Sequence, residues 1–158
     1  MSKHVATVSW ASDGQFMSGR YSRAHDWQFD GGATVRGSSS PGVVAPPMSD
    51  PAAVDPEEAL VASASSCHML WFLSLAQAAG YDVAAYRDEA EGRIGRDERG
   101  RIAFAGIILR PTIFFAGIAP DAEALAHLHH RAHDQCFIAN SLRCQITVEA
   151  APAPEQLA

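Results

Sequence analysis

Two cysteines in contrasting settings are the residues of this sequence best suited to chemistry. Cys67 lies inside the apolar run A-S-A-S-S-C-H-M-L-W-F-L, and Cys136 lies in A-H-D-Q-C-F-I-A-N-S at the end of a predicted helix. A thiol in an apolar pocket and a second thiol elsewhere can be oxidised reversibly, because the first sulfur reacts and the second closes a disulfide. The alternative is that both are ordinary core cysteines, since free cysteine is among the most buried residue types. The surrounding sequence favours the redox interpretation.

An arginine and a glutamate are the predicted partners of the reactive thiol. Cysteine attacks as a thiolate, and burial raises the pKa of a thiol, so Cys67 needs a cation; Arg20 and Arg23 in S-G-R-Y-S-R-A-H are the candidates. Glu57 is predicted to orient that arginine through a bidentate ion pair, or else only to support a helix dipole. In a straight helix Glu57 lies about 15 Å from Cys67. Either the helix breaks at the serines of residues 63–66, or the arginine bridges the gap, from the same subunit or another.

The histidines suggest a second kind of site. His127, His130 and His133 share one face of a predicted helix, with His129 beside them. Together with His68 and the two cysteines they form an inventory of zinc ligands. Their spacing matches none of the strong zinc patterns and no C-x-x-C occurs, so a partly exposed histidine-rich surface is the other interpretation.

Bulk composition narrows the class of protein. The 158 residues fit one domain, residues 1–158, and 47% of them are hydrophobic, so the chain can bury a substantial core. A net charge of -6 argues against a nucleic-acid partner. Charged residues make up only 19%, which favours a buried subunit interface.

The expected compartment is a reducing cytoplasm. The start M-S-K-H-V-A-T-V lacks the apolar region of a signal peptide, and three cysteines do not suggest a disulfide framework. The apolar stretch from Ala59 to Ala79 is about as long as a membrane span, but its serines, Cys67, His68 and Gln77 favour a buried core helix. No membrane partner is therefore expected.

Helix and strand signals predict the elements along the chain. Asp55-Pro56-Glu57-Glu58 predicts a capped helix start, Gly80 predicts its end, and an apolar surface all round predicts burial on every side. Other helical segments are predicted at 120–133 and 136–141. Strands are predicted at 4–10, 16–23, 84–95, 101–116 and 144–150, with Cys144 as a core residue of the last. A long loop is predicted at 36–53 and a loose tail at 151–158.

Two blocks of the sequence resemble a known family. V-D-P-E-E-A-L-V-A-S-A-S-S-C-H-M-L-W-F and A-H-D-Q-C-F-I-A-N-S, the latter followed by I-T-V-E, are similar to the OsmC/Ohr family of osmotically inducible and organic hydroperoxide resistance proteins. The similarity covers about residues 4 to 150, and the blocks are specific when they occur together. The resemblance implies an α+β fold with antiparallel sheets around a buried central helix. It also implies an intertwined homodimer with its active sites at the subunit interface.

The resemblance further implies a thiol peroxidase that reduces organic hydroperoxides to alcohols. By position, Cys67 would be the peroxidatic thiol, Cys136 the resolving thiol and Glu57 the family glutamate, with Arg20 or Arg23 as the activating arginine. An external dithiol, lipoyl-type or similar, would regenerate the enzyme without a metal or organic cofactor. An apolar wall is expected to favour alkyl hydroperoxides over hydrogen peroxide, and its members are Met69, Trp71, Phe72, Phe137 and Ile138.

The chain also departs from the better-known family members. His68 directly follows the reactive cysteine, and the Ser/Pro loop at 38–50 is long. These departures leave open the preferred peroxide and the physiological reductant. The alternative function, from another class, is a non-catalytic binding module on the same fold, with or without a metal held by the cysteines and histidines.

Overall fold

The computed structural model of the chain describes residues 2–150 and 155–156. It comprises two compact units, an N-terminal unit that ends at Ala59 and a C-terminal unit that begins at Leu60. The N-terminal unit is built on an antiparallel sheet of three strands in sequence order. These are β1 (Ala6–Ser9), β2 (His25–Phe29) and β3 (Thr34–Gly37).

The segment between β1 and β2 is compact rather than extended. A short 3-10 helix at Phe16–Ser18 replaces the strand predicted over 16–23, so that prediction is wrong. The Asp13 carboxylate accepts hydrogen bonds from the backbone N–H groups of Gln15 and Ser22, at 3.0 and 2.9 Å, and folds the segment back on itself. Local side-chain acceptors of this kind compete with strand pairing.

The predicted loop at 36–53 begins two residues later than expected, because Arg36 and Gly37 end β3. Hydrogen bonds anchor it at several points. The Ser38 backbone N–H donates to the Val54 carbonyl at 3.0 Å, and the Asp50 N–H donates to the Ser38 hydroxyl at 2.9 Å. The loop is therefore tied to the end of β3 rather than hanging free.

The long helix α1 (Pro56–Ala78) starts and stops where the sequence predicts. The Glu58 N–H donates to the Asp55 carboxylate at 2.7 Å, and the Asp55 N–H donates to the Glu58 carboxylate at 3.1 Å, which forms the capping box. Gly80 has a φ of 84°, a left-handed conformation that suits glycine and closes the helix. The predicted break at the serines does not occur. The Ser66 hydroxyl instead donates to the Ser63 carbonyl one turn back, at 3.3 Å.

Only one face of α1 is buried within the chain. Its buried residues recur at helical spacing: Ala64, His68, Phe72, Leu75 and Ala76. The opposite face includes Leu70, which is 63% exposed. The prediction of burial on all sides is therefore wrong for the single chain. Within the described residues, α1 is also the one helix long and apolar enough to cross a membrane, a criterion that core helices meet as well.

The C-terminal unit contains two three-stranded sheets, with strand orders β4-β7-β9 and β5-β6-β8. The remaining elements are β4 (Val83–Asp88), β5 (Glu91–Arg96), β6 (Ile102–Leu109), β7 (Pro111–Phe115), α2 (Ala122–Gln135), α3 (Phe137–Ser141), β8 (Gln145–Val148) and β9 (Glu155–Gln156). The β4–β7 and β5–β6 pairs are antiparallel, whereas β6–β8 and β7–β9 are parallel. The predicted α+β fold with antiparallel sheets and a long helix is confirmed, and two of the strand pairs are parallel.

Each of the predicted strands at 84–95 and 101–116 is in fact two strands in different sheets. The second break falls at Arg110, just before Pro111, and the Arg110 N–H donates to the Asp88 carboxylate at 2.6 Å. Proline cannot donate to a ladder, which explains why the strand ends there. In the predicted loose tail, Glu155 and Gln156 pair with β7, and residues 151–154 and 157–158 lie outside the described residues.

Two apolar clusters form the core of the C-terminal unit. The first core cluster joins α1, β7 and α2 and consists of Phe72, Leu75, Ala76, Ile113, Phe115, Leu125, Leu128 and Ala132. The second joins α1, β6 and β8 through Ala64, Ile107, Leu109 and Ile146, and Cys144 packs against it as predicted. Burying each large side chain contributes about 1.5–3 kcal/mol. The two helices that lead to Cys67 and Cys136 are held by the first cluster.

Candidate active site

Cys67 lies on α1 at the wall of a cavity of about 420 Å³. The thiol is half-buried and free. The cavity lies between α1 and α3, and its lining residues are Ser63, Ser66, Cys67, Leu70, Trp71, Ser74, Phe137 and Ile138. The Trp71 and Phe137 rings meet edge to face, with centroids 5.8 Å apart. An apolar group with one polar end fits such a wall, since aromatic side chains and serine hydroxyls stand together.

Helix geometry decides which predicted pocket residues reach this cavity. Trp71 lies one turn after Cys67 on the same face, and Phe137 and Ile138 come from α3. Met69 and Phe72 do not line the cavity, because they lie about 200° and 140° around the helix from Cys67. Phe72 is instead fully buried in the first core cluster. The structure therefore does not bring these two predicted pocket residues to the Cys67 cavity.

Cys136 lies against Cys67 inside the C-terminal unit. It occupies the junction where α2 ends and α3 begins, and it is 1% exposed. Burial and the hydrogen-bonding contact with the Cys67 thiol raise the pKa of Cys136 to about 11. The Ala139 N–H donates to its sulfur at 3.4 Å. At neutral pH Cys136 therefore holds its proton while its sulfur adjoins Cys67.

The predicted arginine and glutamate lie in the N-terminal unit. Arg23 and Glu57 both line a cavity of about 480 Å³ there, whereas Arg20 does not line it and is exposed. The cavity wall is rich in aromatic rings, those of Trp10, Phe16 and Tyr21 among them, with His25 beside Arg23.

The Arg23 guanidinium is held by its own neighbours. It lies 3.7 Å from the centroid of the Tyr21 ring, a cation–π arrangement. Its Nη1 donates to the Tyr21 carbonyl at 2.6 Å and to the Gly19 carbonyl at 3.3 Å. Among the described side chains it forms no ion pair with Glu57. The guanidinium is thus preorganised on an aromatic surface and remains free to pair with an anion.

The histidines divide differently from the predicted face. His129 is 5% exposed and contacts His68, which is 1% exposed, through a hydrogen bond of 3.0 Å. His127 and His130 are exposed, and His130 lies 3.5 Å from the Asp134 carboxylate. Over residues 2–150 and 155–156, no group of three or more His, Cys, Asp or Glu converges in a way that could hold a metal ion.

Sequence reasoning missed the aromatic cavity around Arg23 and the buried histidine pair. The pair had a usable signal, because His129 lies at helical spacing among Leu125, Leu128 and Ala132, and a histidine in an apolar stripe is a buried one. No local signal in the sequence predicts the aromatic cavity, since Trp10, Phe16 and Tyr21 meet only because the segment between β1 and β2 folds back.

Comparisons with known proteins agree with the resemblance. The family model described as OsmC-like protein matches residues 49–151. An OsmC-like protein of unknown function from Vibrio cholerae has a solved structure that is 45% identical, covering 96% of this chain and 100% of that chain, with a TM-score of 0.93. No curated protein matches the sequence.

More distant solved structures share the fold. An organic hydroperoxide resistance protein from Elizabethkingia anophelis is 18% identical, with a TM-score of 0.70 and coverage of 98% of each chain. The organic hydroperoxide resistance protein OhrB of Bacillus subtilis is 17% identical, with a TM-score of 0.68 and coverage of 95% of this chain and 98% of that chain. At these identities the likeness establishes the α+β architecture with its long helix.

Proposed function

The chain belongs to the family of OsmC-like proteins, and on that premise we propose that it is a cysteine-based peroxidase that reduces organic hydroperoxides to alcohols. The observation that carries the proposal is the contact between two free thiols of different character. Cys67 is half-buried at a cavity wall, whereas Cys136 is fully buried and keeps its proton. A protonated thiol beside a cavity-facing thiol can supply the second sulfur of a disulfide.

The proposed reaction has two steps on the protein. The Cys67 thiolate attacks the distal oxygen of R–O–OH, the O–O bond breaks, and the alkoxide takes up a proton and leaves as the alcohol. Cys67 is then a sulfenic acid, and condensation with the Cys136 thiol forms a disulfide and releases water. An external dithiol reduces the disulfide and closes the cycle.

An organic hydroperoxide is the proposed substrate class because the cavity wall beside Cys67 is mainly apolar. Leu70, Trp71, Phe137 and Ile138 line it. Each buried methylene of the substrate contributes about 0.8 kcal/mol of binding. Hydrogen peroxide has no alkyl group and gains none of this.

The peroxidase proposal is tested by hydroperoxide consumption with a dithiol and the metal-stripped protein. We expect the wild type to turn over and Cys136→Ser to stall after one oxidation, with Cys67 recovered as sulfenic or sulfinic acid by mass spectrometry. Cys144→Ser is the matched control and should turn over normally, because Cys144 packs against the core at β8. A wild type that consumes no hydroperoxide would overturn the proposal and leave the binding module as the remaining function.

Arg23 is the arginine that we propose for activation of Cys67, supplied by the other subunit of the proposed homodimer, with Glu57 as its orienting carboxylate. The support is its preorganised guanidinium in a cavity that Glu57 also lines, where Arg20 is absent. A guanidinium stabilises a thiolate and then the charge on the leaving alkoxide. Arg23→Ala should slow both alkylation of Cys67 at pH 7 and oxidation by hydroperoxide. Arg20→Ala should change neither, and the reverse result would move the role to Arg20.

A homodimer is the proposed assembly. The support is the low charged fraction of 19% and the large exposed fractions of Leu70 and Phe137, 63% and 70%, at the Cys67 cavity. A second copy is the partner that the family resemblance implies. Light scattering should give about twice the chain mass of 16.9 kDa at micromolar concentration, and a mass near 16.9 kDa would contradict the assembly.

A further inference from the structure

The rings of His68 and His129 form a hydrogen-bonded pair inside the C-terminal unit. His68 Nε2 and His129 Nδ1 are 3.0 Å apart, and the ring planes are within 8° of parallel. The two side chains are 1% and 5% exposed. A hydrogen bond between two imidazoles needs one protonated and one unprotonated nitrogen, so one ring donates and the other accepts.

The pair carries a structural penalty. The outer nitrogens, His68 Nδ1 and His129 Nε2, are buried and have no hydrogen-bond partner among the described residues. In either tautomer of the neutral pair, one outer nitrogen is a donor without an acceptor and the other is an acceptor without a donor. Buried unsatisfied groups destabilise a fold, and two apolar side chains of similar size would avoid both. Stability therefore does not explain why histidines occupy these positions.

The position of the pair suggests what it does. It joins the two helices that carry the two thiols, because His68 directly follows Cys67 on α1, and α2 carries His129 and ends at Cys136. The rest of the contact is the apolar first core cluster. Apolar contacts are non-directional, whereas a hydrogen bond has a narrow range of length and angle. A single buried polar contact can in this way specify the register of two packed helices.

We propose that the His68–His129 hydrogen bond fixes the register of α2 against α1 and so holds Cys136 in place to close the disulfide with Cys67. This inference rests on the proposed peroxidase function. In the step concerned, the Cys136 sulfur attacks the sulfur of the Cys67 sulfenic acid, the S–S bond forms as the S–O bond breaks, and the Cys136 proton leaves with the hydroxide as water. The organic hydroperoxide of the first step is the sole oxidant. Both histidines act through their helices and are positioning residues.

The surroundings keep the pair neutral under ordinary conditions. Burial lowers the pKa of His68 to about 4, helped by His133 on α2 and opposed by Asp88 on β4. Burial and the neighbouring His68 lower the pKa of His129 to about 4. Phe72 covers one face of His129, with ring centroids 4.6 Å apart. Protonation of both rings removes the acceptor nitrogen and therefore the bond.

The test separates the two chemical steps with two double variants. His68→Leu/His129→Leu removes the bond without leaving a lone buried imidazole, and His68→Gln/His129→Asn replaces it with an amide pair that does not titrate. Reduced protein receives one equivalent of an organic hydroperoxide. Stopped-flow tryptophan fluorescence follows both steps, since Trp71 lines the Cys67 cavity and reports on it. Intact melting transitions establish that each variant is folded.

In the leucine pair, His68→Leu/His129→Leu, the first phase, oxidation of Cys67, should stay within about twofold of the wild-type rate. The second phase, closure of the disulfide, should be at least about tenfold slower, because small misplacements of reacting groups have large effects on rates. Cys67 sulfenic acid should accumulate, and a second equivalent of hydroperoxide should oxidise it to sulfinic acid. The amide pair should restore the rate of the second phase. It should also lack the slowing of that phase that we expect of the wild type between pH 6 and pH 4, where the histidines begin to protonate around their pKa of about 4. His130→Gln, an exposed histidine of α2, is the matched control and should behave as wild type.

A second phase of wild-type rate in the folded leucine variant would overturn the proposal, and so would equal slowing of both phases. If the leucine variant does not fold, the second-phase rates of the amide pair and of the wild type between pH 6 and pH 4 test the proposal. An amide pair whose second phase slows in acid as much as that of the wild type would overturn the proposal.

A measurement without peroxide keeps the two proposals apart. Glutathione redox buffers drive the Cys67–Cys136 disulfide through thiol exchange, independently of any peroxidase activity. The leucine pair should need a more oxidising buffer than wild type for half-formation of this disulfide, and the amide pair should not. That shift in a protein that consumes no hydroperoxide would support the positioning role and refute only the peroxidase. An unchanged midpoint in a protein that does consume hydroperoxide would refute only the positioning role.

Discussion

Cys67 and His68 are adjacent on α1 yet face two different environments. Cys67 is half-buried at the wall of an open cavity that Ser66 and Leu70 also line, and Leu70 is 63% exposed. His68 is 1% exposed and contacts His129 in the core. One residue rotates a helix by about 100°, so neighbouring positions can face solvent and core respectively. The proposed reactive thiol needs access for its substrate, whereas the proposed positioning hydrogen bond needs exclusion of water, and one helix supplies both environments.

Hydropathy does not distinguish the two faces of α1, because both are apolar. What distinguishes them is the polar residue each one contains. Small hydroxyls, those of Ser63, Ser66 and Ser74, share the face of Cys67, and a single histidine sits within the core face. We therefore expect substitutions on the thiol face to change activity and those on the core face to change stability or positioning.

The largest expected effect is on activity at the thiol face. Cys67→Ser should lower hydroperoxide consumption to background, a loss of about a thousandfold or more, because serine is not a thiolate nucleophile. The free energy of unfolding in urea should change by less than about 0.5 kcal/mol, since the side chain keeps its size at a half-buried site. Retention of a tenth of wild-type activity in this variant would place the chemistry on another thiol.

The largest expected effect on stability belongs to the core face. Phe72→Ala should lower the free energy of unfolding by about 3–5 kcal/mol, because it opens a cavity in the first core cluster. Gln77→Ala, at an exposed position of the same helix, should cost about 0.5 kcal/mol or less. Urea unfolding measures the free energy of unfolding of both variants, and equal decreases would contradict the distinction between the faces.

Acid should lower the free energy of unfolding through the paired histidines of the core face. The pKa of each paired histidine is about 4 in the folded chain and about 6.5 when unfolded, so below pH 6.5 the unfolded state binds more protons. The free energy of unfolding therefore keeps its full value above pH 6.5. It falls as the pH drops towards 4, by up to about 1.4 kcal/mol per pH unit for each histidine. Urea unfolding from pH 7 to 4 should show a shallower decline in His68→Gln/His129→Asn. A decline as steep as in His130→Gln would contradict the assignment.

The smallest expected effect is on substrate preference at the cavity wall. Phe137→Ala removes the ring that meets Trp71 edge to face. It should raise the KM for a bulky organic hydroperoxide by roughly threefold to tenfold, which corresponds to one or two lost methylene contacts. The kcat/KM for hydrogen peroxide should stay the same. A parallel loss with both peroxides would mean that the ring supports the fold rather than the alkyl group.

Local signals in the sequence predicted element boundaries well. The capping box of Asp55 and Glu58 and the stop at Gly80 are both present, because each depends on residues within one or two turns. Failures occurred where a nearby side chain intervened. Asp13 folds back the segment that was predicted as a strand, and the β-rich run through Arg110 and Pro111 divides between two sheets.

The site was predicted in its residue types and only partly in its arrangement. Trp71, Phe137 and Ile138 line the Cys67 cavity, whereas Met69 and Phe72 do not. Proximity to the cysteine in sequence suggested all five. The surface of α1 is apolar all round, so its sequence does not show which face turns to the core. That choice is made when one face packs against β7 and α2. Periodicity could not supply that rotation.

The sequence by itself determined the limits of α1 and the family resemblance, and it predicted the two-thiol chemistry, since caps, glycines and motif blocks act over short stretches of chain. Only the tertiary structure decided that Cys136 meets Cys67, that Arg23 rather than Arg20 lines the aromatic cavity with Glu57, and that His68 finds His129. These contacts join segments far apart in the chain. Their geometry depends on how packed helices and strands are rotated and offset, which is a property of the whole core rather than of any local pattern.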